Sequence, residues 1–464
     1  MSWTVAKLAE ATGGELLQGS ASLAVAGVST DTRNIGPGAC FVALPGDRRD
    51  GHEFVPAAVS AGARALIVSR RLEVPAVLES PELAVIRVKD TLYALGELAR
   101  CHRKGFSRPL VGITGSNGKT GTKEMTAEIL GVKHTVLKNK GNFNNLIGVP
   151  LTLLELGPEH EVAVVEMGIN VPGEMARLVE IAAPTAGVIT NIYPAHLEGL
   201  GSLDGIMNEK GRLWTALGNE GLAAVNMDDP RLLAFSRKIQ ARAVTYSRSN
   251  PAARVRAEGE IEIRDGSSCF RLVVDGETVP VVLSLLGDHQ VQNALAASAV
   301  CLGLGETAET IALGLSRCGP GPQRMRVHHL ADGRTLVDDT YNANPGSVLA
   351  AVRTVLSASS GKPLVAVLGE MRELGPESAS LHFALGQRIG ELGVSRLVTL
   401  GKLASEITRG AREAGMPASS CRDAATHDEV VALLRDAAPQ GAWILVKGSR
   451  GMTMERVVEG ILAK

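Results

Sequence analysis

Along this chain, short runs dense in Val, Ile, Leu and Ala alternate with stretches whose apolar residues recur every three or four positions. The first pattern is that of a strand buried on both faces, the second that of an amphipathic helix. Helices are expected at Val5–Thr12, Pro56–Ala63, Leu92–Cys101, Gly121–Leu130 and Leu203–Leu217. Strands are expected at Ala65–Val68, Leu110–Thr114, Glu161–Glu166, Gly187–Thr190 and Leu222–Asn226, and again near Thr335–Asp338, Leu364–Leu368, Arg396–Leu400 and Trp443–Val446. Strand and helix in turn predict an α/β fold with mostly parallel sheets covered by helices. Residues 253–285 break that rhythm with two-residue alternation, which predicts a β-hairpin insertion or a sheet edge.

Punctuation divides the chain. Up to residue 86, short strands alternate with Gly/Pro turns, as in a small α/β module. Arg317-Cys318-Gly319-Pro320-Gly321-Pro322 carries two Gly-Pro pairs, which suit neither a helix interior nor a central strand. It is expected to be a linker. The expected domains are therefore 1–86, 87–318 and 319–464, the last Rossmann-like. A length of 464 residues agrees with three domains at roughly 150 residues each.

Composition changes the picture in three places. Lys and Arg number 48 against 49 Asp and Glu, so no global basic footprint for nucleic acid exists. The six cysteines form no CxxC pair, which fits reduced thiols in a cytoplasmic protein. No apolar segment is long enough to span a bilayer, so no membrane insertion is expected, and nothing demands more than a monomer.

The strongest chemical signal is Thr114-Gly115-Ser116-Asn117-Gly118-Lys119-Thr120, set between a strand and a helix. A Gly-rich loop there aims backbone N–H groups and a helix N-terminus at phosphate oxygens. Lys119 would reach the β- and γ-phosphates, and the Thr120 hydroxyl would help hold Mg²⁺. The common phosphate-loop pattern needs Gly at position 113, where this chain has Ile113, so the loop is a variant. Glu166 closes the next strand, and an acid at a strand's carboxyl end suits a hard cation. His196 follows another strand to the same end of the sheet. Lys210, beside Glu209 on a helix, reads from its own chemistry as a solvated lysine.

These residues carry a resemblance. The loop Thr114–Thr120 resembles the ATP loop of the Mur ligase superfamily, ATP-dependent acid–amine ligases of cell-wall synthesis. Lys140–Thr152 (KGNFNNLIGVPLT), Glu166-Met167-Gly168 and Asn191…Gly199 are similar to further family blocks. So are Asp338–Pro345 (DDTYNANP) and Leu368–Gly375 (LGEMRELG), the most discriminating of them. The match spreads over all three domains. It implies an enzyme that adds D-Ala-D-Ala to UDP-N-acetylmuramoyl-tripeptide through an acyl phosphate, making the pentapeptide precursor of peptidoglycan.

It also implies roles. The first domain would hold the UDP end, with Ser29, Thr30, Arg33, Asp50 and His52 as candidates. The central domain would bind ATP, with Asn293 at the adenine. Arg324, Asp338 or Asp339, and Tyr341 would meet ATP from the third domain. Asn342 and Asn344 are candidates for the incoming dipeptide. From chemistry alone, both asparagines also suit turn formation ahead of Pro345. Lys210 maps onto the family's CO₂-derived lysine carbamate, which would hold a second Mg²⁺ with His196. Three positions depart from the family pattern: Gln290 stands where Asn is frequent, Gln323 where Gly is common, and Gly121 where a hydroxyl residue is frequent. Competing readings are a sibling ligase (tripeptide-forming or folylpolyglutamate-forming), a P-loop phosphotransferase, and a nucleotide-binding regulator without bond-forming chemistry.

Overall fold

The computed structural model describes residues 3–46, 49–72, 82–194, 197–264 and 266–463. Among the described residues, sheets of five, nine and six strands follow one another along the chain, joined by helices, with a further two-stranded antiparallel pair, Trp3–Thr4 and Ala24–Val25, in the first domain. In the first, Val28–Ser29, Cys40–Val42, Ala65–Val68 and Ala84–Arg87 run parallel, and Glu15–Gln18 closes the edge antiparallel. The helix Thr91–Lys104 starts where Asp90 Oδ1 accepts the backbone N–H groups of Leu92 and Tyr93 at 2.8 and 2.9 Å. Ala94, Leu95 and Leu98 on it belong to the first domain's core, whereas Ala99 packs into the next. This helix serves two cores at once, which a boundary at 86/87 does not convey.

The nine-stranded sheet places Leu110–Thr114 between Val162–Glu166 and Ala186–Ile189, all parallel. Leu222–Asn226, Arg242–Ser247 and Val255–Arg264 extend it in parallel. Residues 253–285 form not one hairpin but a three-stranded antiparallel meander, Val255–Arg264, Ser267–Val274 and Glu277–Leu283. The meander lengthens the sheet, so the two-residue alternation is explained by one face packing on the helix Asp288–Gly303 and the other remaining wet. Val and Ile at positions such as Val111, Ile113, Val164 and Val188 are fully buried, as parallel strands covered on both faces require.

The third sheet runs Thr335–Asp339, Trp443–Lys447, Leu364–Gly369, Arg396–Leu400 and Cys421–Ala424 in parallel, with Arg326–His329 antiparallel at one edge. Entry to this domain is sharp. Gln323 (φ 59°) and Met325 (φ 54°) both occupy the left-handed region, where a Cβ costs about 1–2 kcal/mol. The Gly common at position 323 in the resemblance thus has a steric reason. Here Gln323 is held instead by its carbonyl accepting Tyr341 N–H at 3.1 Å and its side chain accepting from Arg450 at 3.4 Å.

The helices Ser378–Glu391 and Ser405–Glu413 cross so closely that a Cβ on Gly386 would run into the Ile407 carbonyl. Gly386→Ala is therefore expected to destabilise the third domain by about 1–3 kcal/mol. Thermal unfolding followed by circular dichroism reads this, and an unchanged midpoint would refute the close crossing.

Candidate active site

The phosphate loop lies at the carboxyl ends of the parallel strands Leu110–Thr114, Val162–Glu166 and Ala186–Ile189. The helix it feeds spans Lys119–Leu130 and starts two residues earlier than the sequence pattern suggested. Gly118 at its N-cap has φ 80°, and no side chain caps the first turn, so that turn's N–H groups point outward unclaimed by a cap. Neighbours fix the loop from below. Asn191 Oδ1 accepts Asn117 N–H at 2.9 Å, and its carbonyl accepts Ser116 N–H at 3.0 Å. Ser116 Oγ donates to the Tyr193 carbonyl at 2.8 Å.

Charge is crowded here. Lys119 Nζ is folded into the loop, donating to the carbonyls of Gly115 at 2.8 Å and Ser116 at 3.1 Å. Its ammonium is held below the usual lysine range, chiefly by burial, with Glu166 opposing and Arg324 adding to the effect. Thr120 Oγ1 donates to Glu166 Oε2 at 2.8 Å, and Asn144 Nδ2 donates to Glu166 Oε1 at 2.8 Å. Hydroxyl and carboxylate thus stand within reach of one cation. Among the described residues no three His, Cys, Asp or Glu cluster around a metal position. The donor set suits Mg²⁺, which takes one or two protein oxygens and fills the rest of its octahedron with phosphate and water.

Lys210 is not solvated. Its side chain is buried, and it has no hydrogen-bond or ion-pair partner among the described residues. Glu209 does not neutralise it, because Glu209 Oε1 accepts the N–H groups of Gly173 and Met175 at 2.9 and 3.0 Å, across the start of another helix. Lys210's amine is pushed well below the ordinary lysine range by burial first, then by Lys119, with Glu209 opposing. The reading from chemistry alone fails because an amphipathic helix that is covered on more than one side hides residues its sequence pattern leaves outside. His196 lies outside the described residues.

The third domain reaches into the loop. Arg324 Nη2 donates to Thr120 Oγ1 at 3.1 Å while its guanidinium stacks 3.8 Å above the Tyr341 ring. Asn344 caps the helix Pro345–Ala358 through its Oδ1 and donates its Nδ2 to Asn117 Oδ1 at 2.6 Å. Turn chemistry and a contact with the loop coexist in that one residue. Asp339 pairs with buried Lys447 at 2.6 Å, and Lys447 also donates to the Asn342 carbonyl at 2.8 Å. Asp338 is turned inward onto the Thr340 hydroxyl at 2.7 Å. Asn342 Oδ1 accepts the N–H of Ala343 at 2.9 Å.

The candidates in the first domain are of two kinds. Arg33 is exposed and grips Asp31 through Nε and Nη2 at 2.9 and 2.6 Å, which pulls the Asp31 carboxyl down to about 2. Ser29 and Thr30 lie half-exposed on the same turn, with Ser29 Oγ donating to the Asp31 carbonyl at 3.1 Å. His52, by contrast, is buried, and both its ring nitrogens are used. Nε2 accepts Ser69 N–H at 3.0 Å, so Nδ1 carries the proton and donates to Asp50 Oδ1 at 2.6 Å. As a ligand-facing residue His52 has no group left to offer; with Asp50 it braces the turn.

Asn139, Asn144, Asn191, Lys123 and Lys447 surround these groups and were not singled out from the sequence as site residues. Asn144 and Asn191 lie inside the stretches similar to the family's blocks, which is the available signal. Lys123 and Lys447 carried none, because their positions on a helix and a strand end read as ordinary charges.

Comparisons with known proteins place these residues in context. The Mur ligase middle domain matches residues 113–301, the Mur ligase glutamate ligase domain residues 323–450, and the Mur ligase family catalytic domain residues 24–103. The UDP-N-acetylmuramoyl-tripeptide–D-alanyl-D-alanine ligase of Escherichia coli K12 is 39% identical over 461 residues, covering 99% of this chain and 98% of that protein. A crystal structure of MurF from Acinetobacter baumannii superposes with a TM-score of 0.90 at 33% identity, covering 100% and 99% of the two chains. MurF from Thermotoga maritima in complex with ADP gives a TM-score of 0.83 at 28% identity, covering 94% and 96%.

Two of the three departures from the family pattern meet in space. Gly118 and Gly121 lie against Asn293, and a Cβ on Gly121 would stand 2.8 Å from Asn293 Nδ2 and 3.4 Å from Gln290 Oε1. Gln290 Oε1 accepts from that same Nδ2 at 3.2 Å. Gly121→Ser is expected to destabilise by about 1–3 kcal/mol through overpacking. Adding Gln290→Asn, one methylene shorter, is expected to recover part of it, with a coupling of about 0.5–3 kcal/mol. Chemical denaturation of the two single variants and the pair measures this, and strict additivity would sink the idea.

Proposed function

Because the chain belongs to the Mur ligase family, we propose that it is the ATP-dependent ligase that joins D-Ala-D-Ala to UDP-N-acetylmuramoyl-tripeptide. The observation that carries this reading is the direct bonding of Arg324 and Asn344, from the third domain, to Thr120 and Asn117 of the phosphate loop. A simple phosphotransferase loop needs no such partner. A ligase does, since the amine must meet an intermediate made at the nucleotide.

The chemistry proceeds in two balanced steps. A carboxylate oxygen of the tripeptide attacks the γ-phosphorus of ATP; the P–O bond to ADP breaks, and an acyl phosphate forms. The dipeptide amine then attacks the acyl carbon, giving a tetrahedral intermediate that loses a proton and expels phosphate as the amide forms. The first step drives one anion onto another. The uncapped N–H groups after Gly118 and the Lys119 ammonium, turned outward from the carbonyls it holds now, oppose that repulsion. Arg324 stands beside Thr120 to share the load. Asn293 faces the adenine, Tyr341 supports Arg324, Asp339 is oriented by Lys447, and Asn342 and Asn344 line the approach of the dipeptide. Ser29, Thr30 and Arg33 hold the UDP end of the acceptor.

Thr120 and Glu166 would hold Mg²⁺, which when bound neutralises charge between the β- and γ-phosphates. Lys210 fits the role of a CO₂ acceptor. Only a neutral amine attacks CO₂, and burial, with no ion-pair partner among the described residues, shifts this amine toward its neutral form. The resulting carbamate, with His196, would hold a second cation. Position contributes the rest, up to roughly 7–11 kcal/mol for well-oriented reactants. Every residue named belongs to one chain, so a monomer suffices. Among the described residues no helix is long and apolar enough to cross a membrane, and we assign the reaction to the cytoplasm, where ATP is at hand.

Phosphate release from Mg-ATP tests the reading. Release is expected only when both UDP-N-acetylmuramoyl-tripeptide and D-Ala-D-Ala are present, with a product heavier by the dipeptide minus water. Release that ignores the dipeptide would overturn the assignment in favour of a sibling ligase or a phosphotransferase. For Lys210, native mass spectrometry in bicarbonate buffer is expected to find a CO₂ adduct that Lys210→Arg lacks. An adduct that persists in the variant would remove Lys210 from the role.

A further inference from the structure

We propose that Asn139, braced by Lys123, is the positioning residue that fixes the Glu166 carboxylate for its cation. The inference rests on reading Glu166 as a metal ligand. The strand Val136–Lys138 pairs in parallel with Val162–Glu166, and the pairing ends at Lys138 opposite Val164. Beyond that point, Glu166 has lost its ladder partner on this side. The Asn139 side chain takes over. Its Oδ1 accepts Glu166 N–H at 2.9 Å, and its Nδ2 donates to the Glu166 carbonyl at 3.1 Å. One amide thus satisfies both backbone groups of the acid, as a strand residue would.

The same Nδ2 also donates to the Phe143 carbonyl at 2.8 Å. Phe143 precedes Asn144, whose amide holds Glu166 Oε1. Asn139 therefore ties down the acid's backbone and, separately, the turn that carries the acid's side-chain partner. It is almost wholly buried, so no water replaces these bonds cheaply.

Lys123 holds Asn139 from behind. It sits one turn after Lys119 on the loop's own helix, its side chain fully buried, and its Nζ donates to the Asn139 carbonyl at 2.8 Å. Its charge is met by Glu124 at 2.8 Å, which also takes Lys138 at 2.6 Å. A buried lysine is expensive unless paired and bonded. Here it links the phosphate-loop helix to the strand end that places Glu166. Thr120 at the start of that helix and Glu166 at the end of that strand are the two oxygens that face one cation. The Lys123–Asn139 link sets the spacing between their supports.

Outer partners of this kind change metal affinity by about 10- to 100-fold. The test measures Mn²⁺ binding to the protein–ADP complex by electron paramagnetic resonance, beside ADP binding in EDTA by calorimetry. The variants are Asn139→Asp, Lys123→Met and Glu166→Gln. Asn139→Asp keeps the acceptor for Glu166 N–H and removes both donors, whereas Lys123→Met keeps most of the volume. Both are expected to weaken Mn²⁺ binding about 10-fold or more while metal-free ADP binding stays within about 2-fold. Should Asn139→Asp fail to fold, Lys123→Met carries the test. The inference is overturned if Glu166→Gln weakens Mn²⁺ binding and the other two do not. It is equally overturned if metal-free ADP binding falls in step with Mn²⁺. Unchanged Mn²⁺ binding in Glu166→Gln would instead refute the reading of Glu166 as a ligand.

Discussion

Positive charge crowded at the carboxyl end of a parallel sheet is the constraint on which this molecule turns. Lys119, Lys210 and Arg324 are brought close enough to act on one another, and Glu166 is the acid set among them. Glu209, beside Lys210 on its helix, is committed to a helix N-terminus. Like charges in a low-dielectric setting raise one another's cost steeply. The protein tolerates this by letting Lys119 lean on loop carbonyls and by burying Lys210, which shifts its amine toward the neutral form. Both arrangements are provisional in a chemical sense: a polyanion offers each cation a stronger partner than a carbonyl does. On the proposed assignment, phosphate would complete the site.

That constraint explains the architecture around it. A sheet of parallel strands collects loops at one end, and here the ends of Leu110–Thr114, Val162–Glu166 and Ala186–Ile189 supply lysine, acid and loop support respectively. The third domain reaches the loop through short polar contacts. Asn344 to Asn117 and Arg324 to Thr120 join groups that would also touch nucleotide. On the proposed assignment, domain approach and nucleotide binding would draw on the same atoms. On that assignment, a ligand that claims Thr120 and Asn117 would change the terms on which the third domain stays close.

Much of this was legible in the sequence for identifiable reasons. Val/Ile runs ended in chemistry-bearing residues, so strand ends and site coincided, and the helix after the loop announced itself by its Gly-Lys-Thr start. What escaped did so because it depends on packing between distant elements. The burial of Lys210 follows from neighbours on more than one side of its helix. The inward turn of His52 follows from Ser69, seventeen positions away in the chain. Asn139 acts as backbone for another strand, a role that composition and spacing do not mark. The meander at 255–283 was visible as strand texture, but its count of strands was set by turns whose geometry the pattern does not encode.

The departures from the family pattern carry a further lesson about reading single substitutions. Taken alone, Gly121 subtracts a hydroxyl and Gln290 lengthens an amide, and each weakens the case for its neighbour's role. In three dimensions they are one change. The longer Gln290 reaches Asn293 Nδ2 from the side where residue 121 would otherwise present its Cβ, and the missing side chain leaves room for that contact. Asn293 ends up oriented by a donor–acceptor pair that neither substitution supplies by itself. Gln323 follows the same logic: lacking glycine's freedom, it accepts a left-handed backbone and offsets the strain with bonds to Tyr341 and Arg450, residues of the very domain it introduces. A residue type that violates the expected pattern is thus evidence against a role only when its compensating contact is absent.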